Sequence, residues 1–600
     1  MTPTSSSVTP RITRRVLNES VYREAQAFGL SELQSRILAG RLDTPRAPVE
    51  ALVNPSLRHI AHPERLIDAP RAAARIAQAV EAGEHIGILT DYDVDGITSH
   101  VVILRTLNEL FGVPRARLHS LIGHRIQDGY GISQPLVDKT LALTPRPSLI
   151  ISADCGSSDE ARLAQLAAAG IDVVVTDHHA LPVDGPPRSA HSVVNPSRAD
   201  CDYPDTTIAG CMVSWLVMSL TRSVLIKRGQ LEAESPKLSP WLSYVALGTV
   251  ADCVSLGDSA INRAVVTLGL SLINRMDAPC WRVMAERLGP DSTPFDAETL
   301  AFQMGPRINA RSRLDDPYAA LHFMLAERDD VAREYLTLLD QDNQARKTIE
   351  QTMVETARAR VQPAIRDEAR VLVVFLEEGH AGVQGIVASR LVQAYGRPAF
   401  VLTPAADPGM LTGSGRSVDG VHLRDALQRA FELAPEALPR FGGHSGAAGV
   451  GLPIDAVAAF TRAIVQAVDE QLGTRPLYPR ILCDGELAPA QMSLATLDEL
   501  AHLAPFGREF DAPVFEGEFR VDQARLVGSE GNHLMLTLEA GGALIKAIRF
   551  RAVDPGDALP VAVDDRVRVA FKLNRNRFRG RESIQLMVEH MEAVTALDRA

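Results

Sequence analysis

Three carboxylates alternate along the segment DYDVDG at residues 91–96. On an extended chain this alternation places like charges on one side, which is costly unless a cation neutralises them. Oxygen-rich clusters of this kind suit Mg²⁺ or Mn²⁺. A Ca²⁺ loop or an acidic turn is the alternative, but the flanking helices and the Glu at the twelfth position of an EF-hand are not seen here. The segment therefore predicts a site for a divalent cation.

Three other short segments carry acids or histidines. Asp154 begins the segment DCG, where a helix N-cap is an equally good interpretation. The segment DHH at residues 177–179 is uncommon in loops, and imidazole favours Mn²⁺ or Zn²⁺ over Ca²⁺. Adjacent residues of an extended chain point in opposite directions, so one histidine could bind metal while the other faces a substrate; a polar turn is the alternative. Asp252 ends the segment GTVAD, which by itself would be a capping signal.

Short apolar segments precede three of these motifs and predict the strands that position them. HIGILT, SLIISAD and IDVVVTDHH are rich in β-branched residues, and helical segments separate them. This order is typical of a parallel sheet with crossover helices. Ligands bind at the carboxyl ends of the strands in such sheets. We therefore expect Asp91, Asp154 and Asp177 to converge at one edge.

Changes of pattern along the 600 residues indicate several domains, since one domain usually holds about 100–200 residues. Evenly spaced short strands near the C-terminus indicate a small β-barrel. The predicted segments are a lead-in with helical and irregular structure at 1–65, an α/β domain at 66–275, a helical connector at 276–365, a second α/β domain at 366–475 and a barrel at 476–600.

Composition narrows the class of protein. The six cysteines have no zinc-binding spacing, which favours reduced thiols in a cytoplasmic protein. No apolar run approaches the roughly 20 residues of a membrane span, and no secretory signal is seen, so no membrane contact is expected. The net charge of −12 argues against a DNA-binding surface over the whole protein. A local basic channel remains compatible with that charge.

Taken together, the four motifs resemble those of the DHH phosphoesterase superfamily, and in particular its bacterial single-strand-specific 5′→3′ DNA exonucleases. The match runs from about residue 12 to the C-terminus and includes HRIQDGYGIS, GPRINARSRL, HAGVQGIVASRL, FGGHSGAAG and LAPFGREFDAPVF. The resemblance implies an α/β fold in four parts. These are a parallel-sheet DHH domain, a long connecting helix, a second α/β domain associated with it, and a C-terminal OB-fold barrel.

The resemblance also implies roles at the motif positions. Asp154 would bridge two ions, Asp91 would be an outer-shell partner and His179 would face the substrate. Asp177 would orient His178 or an outer-shell water. Two Mn²⁺ or Mg²⁺ ions would be held by Asp93, Asp95, Asp154, His178 and Asp252.

The activity implied is two-metal hydrolysis of single-stranded DNA to mononucleotides, in DNA repair and recombination. A helicase and a single-strand-binding protein would be partners, and a monomer is expected. Two alternatives stay open. One is a phosphodiesterase of the same superfamily acting on short oligonucleotides or cyclic dinucleotides. Such enzymes typically lack the C-terminal barrel, so its presence favours the exonuclease. The other is a non-catalytic scaffold, which would not need the intact set of ligands.

Substrate contacts are expected from several motifs, because arginine suits bidentate contact with phosphate. A structural ion pair is the alternative for any one arginine. Glycines 413, 415, 442 and 443 would let a loop backbone approach a phosphate. His444, with Arg390 or Arg416, would close the metal site. The full set is Arg125, Arg307, Arg313, Ser389, Arg390, Ser414, Arg416 and His444.

A basic hairpin of the predicted barrel is a further candidate for strand binding. Basic side chains would contact the backbone, and an aromatic ring would stack on a base. A solvated hairpin is the alternative. The residues concerned are Lys572, Arg575, Arg577, Phe578 and Arg579.

Overall fold

The computed structural model describes residues 10–43, 47–125, 127–314, 317–554, 556–578 and 580–594. They divide into two compact units. The N-terminal unit comprises Val16–Asn343 and Leu494–Ala512. The C-terminal unit comprises the described parts of Met1–Arg15, Gln344–Ser493 and Pro513–Ala600.

The strands of the described residues are numbered in chain order. They are β1 (Arg11–Arg14), β2 (Ile86–Thr90), β3 (Leu118–Ile122), β4 (Leu149–Ala153), β5 (Asp172–Thr176), β6 (Ser192–Val194), β7 (Leu372–Phe375), β8 (Ala399–Pro404), β9 (Met410–Arg416), β10 (Arg440–Gly443), β11 (Ala447–Pro453), β12 (Arg480–Cys483), β13 (Phe515–Val527), β14 (His533–Ala540), β15 (Ala543–Arg549), β16 (Arg566–Phe578) and β17 (Arg581–Ala593).

The α-helices are numbered in the same way. They are α1 (Glu19–Ala27), α2 (Glu32–Ala39), α3 (Val49–Val53), α4 (Ala69–Ala82), α5 (Val94–Arg105), α6 (Gln134–Ala142), α7 (Glu160–Ala168), α8 (Gly210–Lys227), α9 (Leu242–Ala251), α10 (Ala260–Ile273), α11 (Pro279–Leu288), α12 (Ala297–Thr299), α13 (Gly305–Leu314), α14 (Tyr318–Leu325), α15 (Asp329–Arg366), α16 (Gln384–Tyr395), α17 (Leu423–Leu433), α18 (Val457–Leu472) and α19 (Leu494–Ala501).

The sheet of the N-terminal unit is parallel throughout, with the strand order β3-β2-β4-β5-β6. Every residue of β2 and β4 is buried, as expected for parallel strands that helices cover on both faces. The three predicted strands are confirmed. Each of them ends directly before an acid, so that Asp91, Asp154 and Asp177 lie at the carboxyl edge of three adjacent strands.

Helix α8 of this unit is apolar along its length. It has 18 residues, and by length and composition alone it could cross a membrane. However, 61% of it is buried, and it packs against α4 and α5 as a core helix does. It is an exception to the expectation that no apolar run approaches membrane length. Burial inside the protein explains its hydropathy.

The long amphipathic helix predicted between the two α/β regions is α15, with 38 residues. The boundary between the two units falls inside this helix, after Asn343. Residues before the boundary pack with the N-terminal unit, and Met353, Ala357 and Val361 lie in the core of the C-terminal unit. The helix therefore contributes to both units.

The mixed sheet of the C-terminal unit has the order β10-β11-β9-β8-β7. Glycines 413, 415, 442 and 443 were expected to lie in loops, and that expectation was wrong, because they lie in β9 and β10. A Cβ atom on Gly413 would lie 2.9 Å from Val450 Cγ2, and one on Gly415 would lie 2.5 Å from Phe400 Cε1. These two glycines are required by close packing on the sheet rather than by approach to a phosphate.

The predicted barrel is confirmed as a closed sheet with the order β13-β14-β15-β17-β16. Phe515, Phe519 and Phe571 pack inside it. Strand β1 pairs in parallel with β12, so residues 1–60 are not solely helical and irregular as expected. A pairing partner so far along the chain leaves no local sequence pattern, which is why this strand was missed.

Candidate metal centre

Asp93 is positioned by the start of α5. It is the N-cap residue, and its Oδ1 accepts hydrogen bonds from the backbone N–H groups of Asp95 (3.0 Å) and Gly96 (3.1 Å). A Cβ atom on Gly96 would collide with the backbone carbonyl of Asp91. Glycine at this position therefore allows the three acids of the first motif to share one tight turn.

Asp95 is buried and held by the start of another helix. Its carboxylate accepts hydrogen bonds from the backbone N–H groups of Gly210 (2.7 Å) and Cys211 (2.9 Å), at the N-terminus of α8. The positive end of the helix dipole stabilises the charged carboxylate there. Cβ atoms on Gly210 and Gly248 would lie 3.0 and 2.9 Å from its oxygens. Neither glycine is marked as part of the site by the local sequence, although Gly248 opens the small-residue stretch before Asp252.

Asp177 organises the turn that carries both histidines. Its Oδ1 accepts hydrogen bonds from the backbone N–H groups of His178 (2.7 Å) and His179 (3.2 Å) and from Nδ1 of His179 (2.8 Å). Its Oδ2 accepts one from the backbone of Ser157 at 3.0 Å. Burial opposes ionisation of both side chains and is the largest single effect, but the hydrogen bond between Asp177 and His179 and the attraction between their charges together outweigh it. The pKa of Asp177 is consequently lowered, and that of His179 is raised to about 9.

His178 lies at the centre of the site. Its Nε2 is 3.3 Å from Asp154 Oδ1, 3.5 Å from Asp252 Oδ2 and 3.8 Å from Asp95 Oδ2. Nε2 of His178 and Oδ1 of Asp154 are both buried, and neither has a hydrogen-bond partner among the described residues. Leaving such atoms unsatisfied is costly, and a bound cation would satisfy both.

The raised pKa values of the buried carboxyl groups also indicate a site for a cation. Burial, reinforced by the neighbouring acids, raises the pKa of Asp154 well above its usual range. Burial likewise raises the pKa values of Asp91, Asp95 and Asp252, and the charge of Asp93 adds to the effect. Positive charge among these oxygens would favour their ionised forms. The donor set, oxygen-rich with imidazole, fits Mn²⁺ or Mg²⁺.

The ligand atoms fall into overlapping groups, each with its atoms within 4.8 Å of one another. They are Asp95 with His178 and Asp252; Asp91 with Asp93 and Asp154; and Asp154 with Asp177, His178 and His179. Asp154 belongs to two groups, which suits the bridging role that the family resemblance implies. Asp91 belongs to the same group as Asp93 and Asp154, so the geometry also offers it as a direct ligand, whereas the resemblance implied an outer-shell role.

Tyr130 is a residue near the site that the sequence argument did not single out. Its ring meets the ring of His179 edge-on, with centroids 5.3 Å apart, and 52% of the residue is exposed. An exposed aromatic ring beside a metal centre can stack on a base. The available signal was its position between two glycines in HRIQDGYGIS, directly after the first motif.

The three arginines of the N-terminal unit that were predicted to contact phosphate lie in different surroundings. The Arg125 guanidinium lies 4.2 Å from the centre of the Tyr92 ring, and the charge of Arg125 acts on Asp91. Arg307 is buried and donates to Asp340 at 2.7 Å, which is the structural ion pair considered as its alternative. Arg313 follows on the same helix, α13.

The candidates of the C-terminal unit cluster where α16 crosses β9. Arg416 donates to Ser414 Oγ at 2.9 Å, and burial lowers its pKa. A Cβ atom on Gly385 would lie 2.5 Å from Arg416 Nη2, and Ser389 Oγ donates to the Gly385 carbonyl at 3.0 Å. Gly385 therefore makes room for the guanidinium.

Two further candidates of this unit lie in other surroundings. Arg390 pairs with Glu350 of α15 at 3.1 Å, so an ion pair already occupies it. His444 is exposed in the turn between β10 and β11, where its backbone N–H donates to the Ala447 carbonyl at 2.8 Å.

The basic residues of the barrel hairpin are paired across β16 and β17. Lys572 lies 2.9 Å from Glu589, Arg577 lies 3.0 Å from Glu582, and Arg575 also pairs with Glu582. The side chain of Phe578 and the whole of Arg579 lie outside the described residues. Exposed pairs of this kind are weak, so a polyanion can compete for the cations.

Comparison with known proteins covers almost the whole chain. Family models match for the N-terminal domain of the DHH family at residues 85–249, the DHHA1 domain at 368–470 and the RecJ OB domain at 483–590. Single-stranded-DNA-specific exonuclease RecJ of Escherichia coli (strain K12) is 34% identical over 538 residues, which cover 88% of this chain and 91% of that protein.

RecJ proteins from other bacteria are similar as well. The protein from Dickeya dadantii (strain 3937) is 36% identical over 530 residues, covering 87% of this chain and 90% of that protein. The crystal structure of RecJ in complex with Mn²⁺ from Thermus thermophilus has a TM-score of 0.76 at 26% identity. That match covers 98% of this chain and 80% of the other.

Proposed function

Because the chain belongs to the RecJ family, we propose that it is a metal-dependent exonuclease that degrades single-stranded DNA from the 5′ end to mononucleotides. The observation that carries the proposal is the convergence of Asp154 Oδ1 and His178 Nε2, 3.3 Å apart, buried and without hydrogen-bond partners among the described residues. The relatives are single-stranded-DNA-specific exonucleases, which supports the substrate, and the family resemblance supports the polarity.

The metal ligands proposed are Asp93, Asp95, Asp154, His178 and Asp252, with Asp91 in contact with the same cluster. Two ions, Mn²⁺ or Mg²⁺, would activate water and neutralise the charge that builds on the phosphate. Crystal structures of the Thermus relative were determined with each of these metals. The carboxylates of this chain supply the compensating negative charge, and the start of α8 fixes one of them in place.

His179 is proposed to face the substrate. Its hydrogen bond to Asp177 and the negative charge of that carboxylate raise the pKa of the ring to about 9, although burial opposes this, which favours the protonated ring. With Nδ1 engaged by Asp177, the other ring nitrogen is free to donate a hydrogen bond to a phosphate oxygen. Asp177 thus holds the orientation and the charge of the ring together.

The test is Mn²⁺-dependent digestion of single strands labelled at either end, beside duplex and short dinucleotide substrates. We expect mononucleotides released from the 5′ end of single strands, with duplex left intact. Asp154→Asn should abolish turnover while single-strand binding remains. Survival of long single strands together with cleavage of dinucleotides would overturn the proposal in favour of a small-substrate phosphodiesterase.

Setting and organisation are proposed from the same resemblance. We expect a monomer in the cytoplasm that acts in repair and recombination beside a helicase and a single-strand-binding protein. Sedimentation and pull-down from cell extract test these points.

The domain boundaries are proposed from the sequence pattern. Each family-model match falls inside one predicted domain, yet residues 494–512 of the predicted barrel region pack with the N-terminal unit, so limited proteolysis is the relevant measurement.

A further inference from the structure

Asp252 differs from three other acids of the metal centre in how its side chain is held. The carboxylates of Asp93, Asp95 and Asp177 each accept hydrogen bonds from backbone N–H groups. In the part of the chain that the structure describes, the carboxylate of Asp252 accepts no hydrogen bond, although His178 Nε2 lies 3.5 Å from its Oδ2, and Asp154 Oδ1 also accepts none. Its position therefore depends on the backbone at the end of α9 and on the turn at residues 253–258. That turn opens with Cys253 at φ 56°, in the left-handed region.

The turn is braced by residues 503–510, a segment from much later in the chain that belongs to the same unit. The backbone N–H of Leu256 donates to the carbonyl of Arg508 at 2.9 Å. A Cβ atom on Gly257 would lie 2.6 Å from the carbonyl oxygen of Glu509, and one on Gly507 would lie 2.7 Å from Leu256 Cδ1. The turn and the segment are thus in direct backbone contact. Gly257 in the turn and Gly507 in the segment permit this contact because neither has a side chain.

Arg263 of α10 fastens the turn to the segment. Its guanidinium donates to the carbonyl of Leu256 at 3.2 Å and to those of Leu503 and Pro505 at 2.6 and 3.1 Å. It also lies 4.5 Å from the centre of the Phe510 ring. Only 1% of Arg263 is exposed. The planar fork of arginine can reach the turn and the segment at once, which the single ammonium of lysine cannot do.

A buried cation held by carbonyl groups is an expensive way to stabilise a fold, because desolvation opposes it. Burial lowers the pKa of Arg263 to about 10, so the charge persists at neutral pH. The residues that flank the segment are anchored as well, since Arg41 donates to the carbonyl of Asp511 at 2.8 Å and Gln34 donates to that of Glu499 at 2.9 Å. The geometry of the turn is therefore specified from outside α9.

We propose that Arg263 and the segment 503–510 are positioning elements for Asp252. They fix the turn at residues 253–258, and through it they direct the Asp252 carboxylate toward the metal ligands His178 and Asp95. The inference rests on the proposed function, since it assumes that Asp252 binds a metal ion. It places part of the metal site's support in a segment that follows the second α/β domain in the sequence.

The test is titration of the full-length protein with Mn²⁺, measured by calorimetry, so that no nuclease assay is needed. Gly257→Ala drives a methyl group between turn and segment without touching any proposed ligand. We expect it to weaken Mn²⁺ binding about tenfold, as changes that misorient a ligand do. Asp252→Asn should weaken binding at least as much. The double variant should be no weaker than Asp252→Asn, because both changes act on the same carboxylate.

Val283→Ala in α11 is the matched control. It removes buried volume in the same unit, away from the turn, and should lower the melting temperature while leaving Mn²⁺ affinity unchanged. Arg263→Lys should reproduce the effect of Gly257→Ala. If either positioning variant fails to fold by circular dichroism, Gly507→Ala replaces it, because its Cβ atom meets only the tip of Leu256.

The outcomes separate the two claims. Wild-type Mn²⁺ affinity in folded Gly257→Ala and Arg263→Lys, with a loss in Asp252→Asn, overturns the positioning proposal and leaves the proposed function standing. An additive loss in the double variant also overturns it, because the segment would then act elsewhere. Unchanged affinity in Asp252→Asn overturns the assignment of Asp252 as a ligand, and the positioning proposal fails with it.

Discussion

Nδ1 of His179 and Oδ1 of Asp177 lie 2.8 Å apart, and the same oxygen accepts the backbone N–H groups of both histidines. One carboxylate thereby fixes the ring of His179 and the course of the chain that presents His178. Neither effect requires Asp177 to touch a metal ion. The arrangement couples the two histidines through a single oxygen atom.

Asp177→Asn tests that coupling. An amide oxygen can accept only part of these hydrogen bonds, and it carries no charge to hold a protonated ring. We expect exonuclease turnover to fall about 10- to 100-fold, the range for losing an outer-shell partner. Single-turnover digestion of a labelled strand measures this. Wild-type turnover in a folded Asp177→Asn protein would contradict the role given to Asp177.

Gly248 is predicted to be intolerant of a side chain. Its Cβ atom would lie 2.6 Å from Cys211 Sγ and 2.9 Å from Asp95 Oδ1, between α9 and the start of α8. We expect Gly248→Ala to cost about 1–3 kcal/mol of folding free energy, as overpacking does, and to weaken Mn²⁺ binding by displacing Asp95. Urea unfolding and calorimetry measure the two effects. Val283→Ala, which should affect stability alone, is the control.

The contrast between Asp154 and Gly210 shows where sequence reasoning succeeds and where it stops. Asp154 follows an apolar strand, so its place at the sheet edge follows from local pattern and from the general rule for parallel sheets. Gly210 contacts Asp95 only because α8 begins beside α5, and no local pattern encodes that meeting. Strand identity and the cluster of acids were therefore predictable. The helix start whose backbone N–H groups bind the Asp95 carboxylate was not predictable.

The same distinction holds in the C-terminal unit. Glycines 413 and 415 were expected to lie in a loop whose backbone approaches a phosphate. Glycine is needed there because Phe400 and Val450 on neighbouring strands leave no room for a side chain at positions 413 and 415. Likewise, Arg307 in the N-terminal unit matched a motif that suggested phosphate contact, yet Asp340 lies 2.7 Å from it across a helix pair. Contacts between residues far apart in the sequence determine the role of each of these residues.

His100 predicts a pH dependence of stability. It is fully buried in α5, between Thr90 Oγ1 at 3.1 Å and Ser120 Oγ at 2.8 Å, and burial lowers its pKa to about 3, with a smaller effect of Arg115. The unfolded chain, with an ordinary pKa, binds the proton first as pH falls. The stabilising contribution is thus complete above about pH 6.5 and declines by about 1.4 kcal/mol per pH unit below it.

Urea unfolding of wild type and His100→Gln between pH 7 and pH 5 measures that contribution. Glutamine can keep both hydrogen bonds but does not titrate. The buried carboxyls with raised pKa values act in the opposite direction, so the quantity to compare is the difference between the two proteins. We expect the wild type to lose stability relative to His100→Gln as pH falls. Parallel pH profiles would contradict a neutral buried imidazole.

Glu582 pairs with Arg575 and Arg577 on the barrel hairpin, and removing its charge should strengthen single-strand binding. Glu582→Gln removes the carboxylate charge with which both arginines pair, and exposed pairs are weak, so we expect a gain of about threefold in affinity for single-stranded DNA at low salt. Arg577→Ala should weaken binding and reduce the slope of log affinity against log salt by about 0.7, the value for one phosphate contact on a single strand.

Fluorescence anisotropy in an Asp154→Asn background measures the affinity and the salt slope without digestion of the strand. Glu334→Gln, which removes an exposed charge on α15, is the control and should leave affinity unchanged. A hairpin that plays no part in binding would leave affinity and salt slope at their wild-type values in both barrel variants.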